Sequence, residues 1–230
     1  MRVVPTILCC LFLAAPAFAD KAAVPPPPSG RIKGKVTVTE ADGKPAPGAD
    51  IIVYILAPNF SEPGGTATEK IAQKGRKFVP DLVAVTKDDS VAFPNEDPFL
   101  HNVFSQSPPR KFDLGSFKKG ESKEKKFDQT GVVDVYCNIH PEMAATILVL
   151  PNKKHVRADA QGNYVLEGVP AGEVTVFAYT RRATKPVSSK VTVTAGGVLT
   201  VDLALQRGAE APHKNKYGAN YQGPSGSYPK

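Results

Sequence analysis

Cys137, His140 and Met143 fall within one heptapeptide, Cys137-Asn138-Ile139-His140-Pro141-Glu142-Met143, with the spacing C-x2-H-x2-M. A second imidazole, His101, lies upstream in Asn95-Glu96-Asp97-Pro98-Phe99-Leu100-His101-Asn102-Val103. A thiolate and two imidazoles with a thioether nearby are the donors of a trigonal copper site with a weak axial sulfur. Soft thiolate and thioether favour Cu(I), while imidazole serves both oxidation states. Such a mixed set lets the ion change charge with little movement, as fast one-electron transfer requires. Taken singly, the residues have plainer explanations: a small buried hydrophobe for the Cys, a core filler for the Met, a hydrogen-bonded loop residue for each His. Those explanations do not account for Cys137 and Met143, the only Cys and Met beyond the first twenty residues, sharing one short segment with a His.

Zinc is the competing metal, since Cys, two His and a fourth donor also suit a tetrahedral site. Structural zinc sites more often use several Cys, and a thioether is a poor zinc ligand. Catalysis finds less support. A closed four-donor site leaves no open position for a substrate. Only His155 and His213 remain to build a further centre. No Gly-rich phosphate loop, Ser/His/Asp order or carboxylate pair stands out. The expectation is a protein that is not an enzyme.

The first residues set the compartment. Arg2, the apolar stretch Val3–Ala17 and the small-x-small site Ala17-Phe18-Ala19 read as a cleaved signal peptide over 1–19. Its loss takes Cys9 and Cys10 with it and leaves Cys137 unpaired, so an internal disulfide is excluded in an oxidising, exported compartment. The whole chain of 230 residues carries a net charge of +7, and removal of Arg2 leaves +6. The basic run Lys118–Lys126 has only Phe117 and Phe127 as flanking aromatics and reads as a solvated sheet edge, not a nucleic-acid patch. No later stretch is apolar enough to span a bilayer.

The elements that must position these donors are strands. Glycine 19 and proline 22 times over favour short strands and turns. Ile32, Gly34, Val36 and Val38 alternate with polar residues, and the turn Ala41-Asp42-Gly43-Lys44 before Ile51–Ile55 has the pattern of a hairpin. Val133, Val135 and Cys137 share one face, opposite Val132, Asp134 and Tyr136, and Ile147–Leu150 forms a hairpin-like return. Further strands are expected at Asn163–Leu166, Val174–Tyr179, Val187–Val193 and Val198–Leu205. No long segment has a 3.6-residue period, so the class is all-β, built of sandwiches or barrels. Residues 20–30, with four consecutive prolines, read as a linker, and 207–230 as a disordered tail.

Two resemblances follow. VAFPNEDPFLHNVFS and GVVDVYCNIHPEM resemble the plastocyanin/amicyanin group of cupredoxins, the short C-x2-H-P-x-M loop being closest to amicyanin. This covers about 66–151 and implies a Greek-key β-sandwich holding one type 1 copper ion. It implies His101, Cys137 and His140 as equatorial ligands, Met143 as the axial one, and Asn102 as the residue tying the ligand loops together. Electrons would enter at the edge of His140 beside Pro98, Phe99, Leu100 and Pro141. The segment 112–127 departs from the amicyanin pattern, and Glu96, Asp97 and Glu142 put acidic charge near that surface. GKVTVTEADGKPAPGADIIVYI and ADAQGNYVLEGVPAGEVTVFAY resemble the carboxypeptidase regulatory-like (prealbumin-like) β-sandwich. They imply a discontinuous sandwich of 31–57 and 153–206 with the copper domain inserted in or adjacent to it. The combination is similar to exported bacterial proteins described as methylamine-utilization proteins. It implies a periplasmic one-electron carrier with a redox partner such as a cytochrome c or a dehydrogenase. The alternative is a periplasmic copper carrier or assembly factor that holds the ion without redox turnover.

Overall fold

The computed structural model describes residues 28–46, 50–108, 110–185 and 187–221. The expected signal peptide over 1–19, the part of the expected linker before residue 28, and 222–230 lie outside the described residues. Ser29 and Gly30, assigned to the linker from the sequence, already belong to the first strand. The fold is all-β, with no helix among the described residues.

Two sheets are made jointly by the two ends of the chain. The long strand Ser29–Thr39 pairs antiparallel with Asn163–Pro170 and, on its other side, parallel with Val198–Thr200 and Leu203–Gln206. Its alternation puts Ile32, Val36 and Val38 inside. At Gly34 a Cβ would sit 1.9 Å from the Val201 carbonyl oxygen, so the close approach of these backbones requires glycine. The expected hairpin from this strand to Ile51–Ile55 does not form. The turn at 40–44 returns only as far as Pro45–Ala46, which pairs with Val38 and Thr39. The chain then crosses, and Ile51–Leu56 lies in the facing sheet between His155–Arg157 and Gly172–Thr180, with Val187–Val193 beyond. Val53, Ile55, Val169, Val176 and Leu205 fill the space between the two sheets.

The middle of the chain builds a second core. One sheet runs in the order Phe112–Phe117, His101–Ser105, Gly131–Tyr136, Ala144–Leu150, Leu82–Thr86. Facing it, Ser90–Pro94 lies between Ser122–Lys126 and Thr68–Lys70. Phe93, Phe117, Phe127, Val133, Val135 and Ile147 pack between them. Ser122–Lys126 is an edge strand whose side chains are never buried, which accounts for its lysines.

The two cores touch. Ala144–Leu150 is buried on both faces, which is why its sequence is apolar without alternation. Ala145, Ile147 and Val149 face the inner core, while Leu148 and Leu150 join Leu82 and Ala84 against Ile52, Tyr54 and Tyr179. Where the chain leaves and re-enters the outer sheets it is stapled: Glu62 N–H donates to the Pro151 carbonyl (3.0 Å), and Lys153 N–H to Glu62 Oε2 (2.8 Å).

The expectation of a disordered tail is corrected over 207–221. Glu210 pairs with Arg181, which also meets Asp81 at 3.0 Å. His213 stacks on Tyr136 with ring centroids 3.9 Å apart, and Tyr221 reaches the Cys137 backbone. These contacts are one ion pair, single rings and a hydrogen bond to backbone, so they leave no hydrophobic period in the sequence.

Candidate metal centre

The strand Gly131–Tyr136 alternates so that Val133, Val135 and then Cys137 point inward, and Cys137 is fully buried. The chain then turns at His140-Pro141-Glu142-Met143, closed by Met143 N–H to the His140 carbonyl at 3.0 Å. Proline in the second position presets the backbone for such a turn. Cys137 N–H in turn donates to the Met143 carbonyl (3.2 Å), which seats both sulfur residues at the mouth of the core. Met143 is fully buried in the same apolar cluster as Cys137.

His101 arrives from the neighbouring strand. Asn95 shapes the loop before it: its amide donates to the carbonyls of Phe99 (2.9 Å) and Phe117 (3.0 Å), and its carbonyl oxygen accepts from Asp97 N–H (2.9 Å). The result brings three donor atoms together. His101 Nδ1 lies 3.9 Å and His140 Nδ1 3.8 Å from Cys137 Sγ, and the two nitrogens are 3.1 Å apart. All three residues are buried, with His101 at 0% and His140 at 5% exposure, and their candidate donor atoms lie within 4.8 Å of one another.

The electrostatics favour a cation here. His101 Nε2 lies 2.8 Å from Asp97 Oδ2. An ionised carboxylate only accepts, so Nε2 carries the hydrogen and Nδ1 of the neutral ring presents its lone pair to the cluster. Burial raises the Asp97 carboxyl, but the N–H groups of Arg76 and Gly75 and the His101 ring outweigh it and hold the group below the usual carboxylate range. Burial pushes both imidazoles toward the neutral, ligating form, and for His140 the nearby His101 adds to it. Burial likewise pushes the Cys137 thiol up, against the backbone N–H groups of Asn102, Ile139 and His140 that favour its thiolate. A bound metal cation would tip that balance, because a coordinated thiol loses its proton. Two neutral imidazole nitrogens and one buried sulfur therefore fit copper by donor chemistry.

Asn102 links the two ligand-bearing segments. Its Oδ1 accepts from Asn138 N–H (3.3 Å), and its Nδ2 donates to Asp113 Oδ1 (2.7 Å). Around His140 the surface is apolar. Pro98 and Leu100 are exposed, Pro141 is half-buried, and the Phe99 ring lies 5.5 Å from the His140 ring and 5.2 Å from His101. Of the acidic residues expected there, Glu142 is exposed beside Pro141. Asp97 is buried against His101, and Glu96 pairs with Lys70 (2.8 Å) and Lys74 (3.6 Å). Arg76 lies over the Phe99 ring at 5.1 Å, which puts a cation at the rim. The hold of Asp97 on His101 and the arrival of the C-terminal segment were not apparent from sequence. The four-residue spacing Asp97–His101 was the one available signal.

No protein-family model matches the chain, and no curated protein sequence matches it. Among solved structures, it is similar to a purple cupredoxin from Nitrosopumilus maritimus, at 22% identity and a TM-score of 0.32, over 35% of this chain and 98% of that one. It is also similar to amicyanin from Paracoccus versutus, at 19% identity and a TM-score of 0.33, over 36% of this chain and 80% of that one. A copper-containing nitrite reductase from Thermus scotoductus matches at 23% identity and a TM-score of 0.35, over 41% of this chain but only 26% of its own. These are partial similarities to cupredoxin structures, and the reading of the site rests on its own geometry.

Proposed function

We propose that His101, Cys137 and His140, with Met143 as a weak axial donor, hold one type 1 copper ion, and that the chain is an exported, periplasmic one-electron carrier. When bound, copper supplies a Cu(II)/Cu(I) couple. The observation that carries this reading is the convergence of two imidazole nitrogens on the Cys137 sulfur, with the far nitrogen of His101 already held by Asp97. Asp97 keeps the ring in the ligating tautomer and orientation, as partners of metal-bound histidines do. Burial of all three donors supports a carrier over a catalyst. The apolar patch of Pro98, Phe99, Leu100 and Pro141, with Arg76 at its rim, supports docking of a redox protein such as a cytochrome c or a dehydrogenase beside His140. The leader at 1–19 supports export. Residues 31–57 and 153–206 are proposed to form a single discontinuous sandwich of the carboxypeptidase regulatory-like type around the copper domain, 66–151.

The test is a visible spectrum of the copper-loaded protein before and after reductant. An intense thiolate-to-Cu(II) band that bleaches on reduction is expected. Stoichiometric zinc in the purified protein, with no colour on adding Cu(II), overturns the proposal.

A further inference from the structure

The C-terminal segment ends its described course on the ligand loop. Three backbone or side-chain contacts fix it there. Tyr221 OH donates to the Cys137 carbonyl (3.0 Å), Lys216 N–H donates to Asn138 Oδ1 (3.1 Å), and Lys216 Nζ donates to Asp113 Oδ2 (2.8 Å). These last two contacts close a circuit with the bonds of Asn102. Asn138 N–H gives to Asn102 Oδ1, Asn102 Nδ2 to Asp113 Oδ1, Lys216 Nζ to the other Asp113 oxygen, and Lys216 N–H to Asn138 Oδ1. Each member of such a ring restrains its neighbours, so the corner at 137–138 is held from the strand side by Asn102 and from outside by Lys216. The segment is seated further by His213, stacked between Tyr136 on one side and the edge of Tyr221 on the other, and by Gln106 Nε2 to the Lys216 carbonyl (2.8 Å). The backbone N–H groups of Asn102, Ile139 and His140 favour the Cys137 thiolate. Holding the 137–138 corner therefore restrains the start of the loop that carries Ile139 and His140 away from Cys137.

We infer that residues 207–221 are a strap that completes the metal centre, with Tyr221 a positioning residue for Cys137. The inference rests on the copper reading above only for its electrochemical consequence. A donor on the Cys137 carbonyl draws electron density from the ligand's own peptide and favours the electron-rich, reduced state. The strap also keeps water from the corner, and water favours the charged, oxidised site. Loss of either lowers the reduction midpoint.

The experiment compares the full chain, its Tyr221→Phe variant, and a chain ending at Ala211. Tyr221→Phe keeps the ring beside His213 and removes only the hydroxyl. In the metal-free proteins, amide hydrogen exchange at Asn138 is read. One hydrogen bond's worth of restraint corresponds to an acceleration of up to about tenfold in Tyr221→Phe, and the truncation is expected to exceed it. In the copper-loaded proteins, the midpoint moves down and the charge-transfer band shifts in both variants. Unchanged exchange in Tyr221→Phe overturns the strap. Faster exchange with an unmoved midpoint and band reduces the strap to a structural contact and overturns the positioning role. If the unmodified chain takes up no coloured copper, the metal reading fails, while the exchange measurement still decides the strap. If the truncated chain does not fold, Tyr221→Phe decides alone.

Discussion

At the scale of single residues, the two sulfurs divide the work unequally. In the proposed copper site, Cys137 would supply the charge-transfer donor and, with the two imidazoles, most of the binding free energy, and the Met143 thioether would be a weak donor. Met143→Leu preserves apolarity and approximate volume in the fully buried position, so packing loses less than about 1.5 kcal/mol. A thioether's softness suits Cu(I), but a weak donor held at long range acts mainly by electron donation that offsets the higher charge of Cu(II), so its removal favours Cu(I). We expect the variant to keep its colour and to show a higher reduction potential, while Cys137→Ser loses the colour. Voltammetry and absorbance on the pair decide it: a Met143→Leu protein that loses copper as fully as Cys137→Ser makes Met143 a structural ligand. Asp97 shows where sequence reading stops. The C-x2-H-x2-M loop is legible because its members are local, and because Cys and Met are otherwise absent beyond the leader. The Asp97–His101 contact spans a turn set by Asn95 side-chain bonds. Asp97 could be read as another surface acid until the Gly75 and Arg76 amides were seen to face it.

At the scale of elements, alternation made the strands legible and the connections hid their partners. Val133, Val135 and Cys137 face inward as their period demands, and the return strand pairs with them in register from Gly131 with Val149 to Tyr136 with Ala144. The pairing of Ser29–Thr39 was not legible, because a two-residue strand intercepts the apparent hairpin before the chain changes sheets. One turn in the inner unit gives a pH prediction. Asp89, 5% exposed between Leu82–Thr86 and Ser90–Pro94, accepts from the N–H groups of Gly65 (2.7 Å), Ala67 (3.2 Å) and Thr86 (3.0 Å). Burial alone would raise this carboxyl, but those donors together hold it below the ordinary value. A depressed folded value means the stabilisation is fully present above the unfolded pKa, about 3.9, and is lost as pH falls through the folded one. Urea unfolding should therefore show wild-type stability declining below about pH 4. Asp89→Ala should be less stable by about 2–3 kcal/mol at pH 7, with that gap closing in acid. A gap that stays constant down to pH 2 contradicts the assignment.

At the scale of the whole molecule, the strands of 153–206 depend on partners from the other end of the chain. Ser29–Thr39 and Ile51–Leu56 each sit between strands that follow residue 153, and their side chains supply much of that core. Expressed alone, 153–230 should remain unfolded, whereas 66–151 should give a folded, copper-binding unit. Dispersed amide resonances and a cooperative melt from 153–230 would falsify this division. The staple at Glu62, Pro151 and Lys153 has a kinetic consequence. Ile51–Leu56 and His155–Arg157 are neighbours in space but separated by about a hundred residues, and closing so long a loop is slow and entropically costly. If the intervening unit condenses first, its two ends are delivered side by side. The effective loop then shrinks to about ten residues, which lowers the closure cost by about 2 kcal/mol. The inner unit would then act as a template for assembly of the outer sheets. A core mutation at Val133 or Ile147, whose side chains face the inner core, would delay their refolding by withholding the ends they must join.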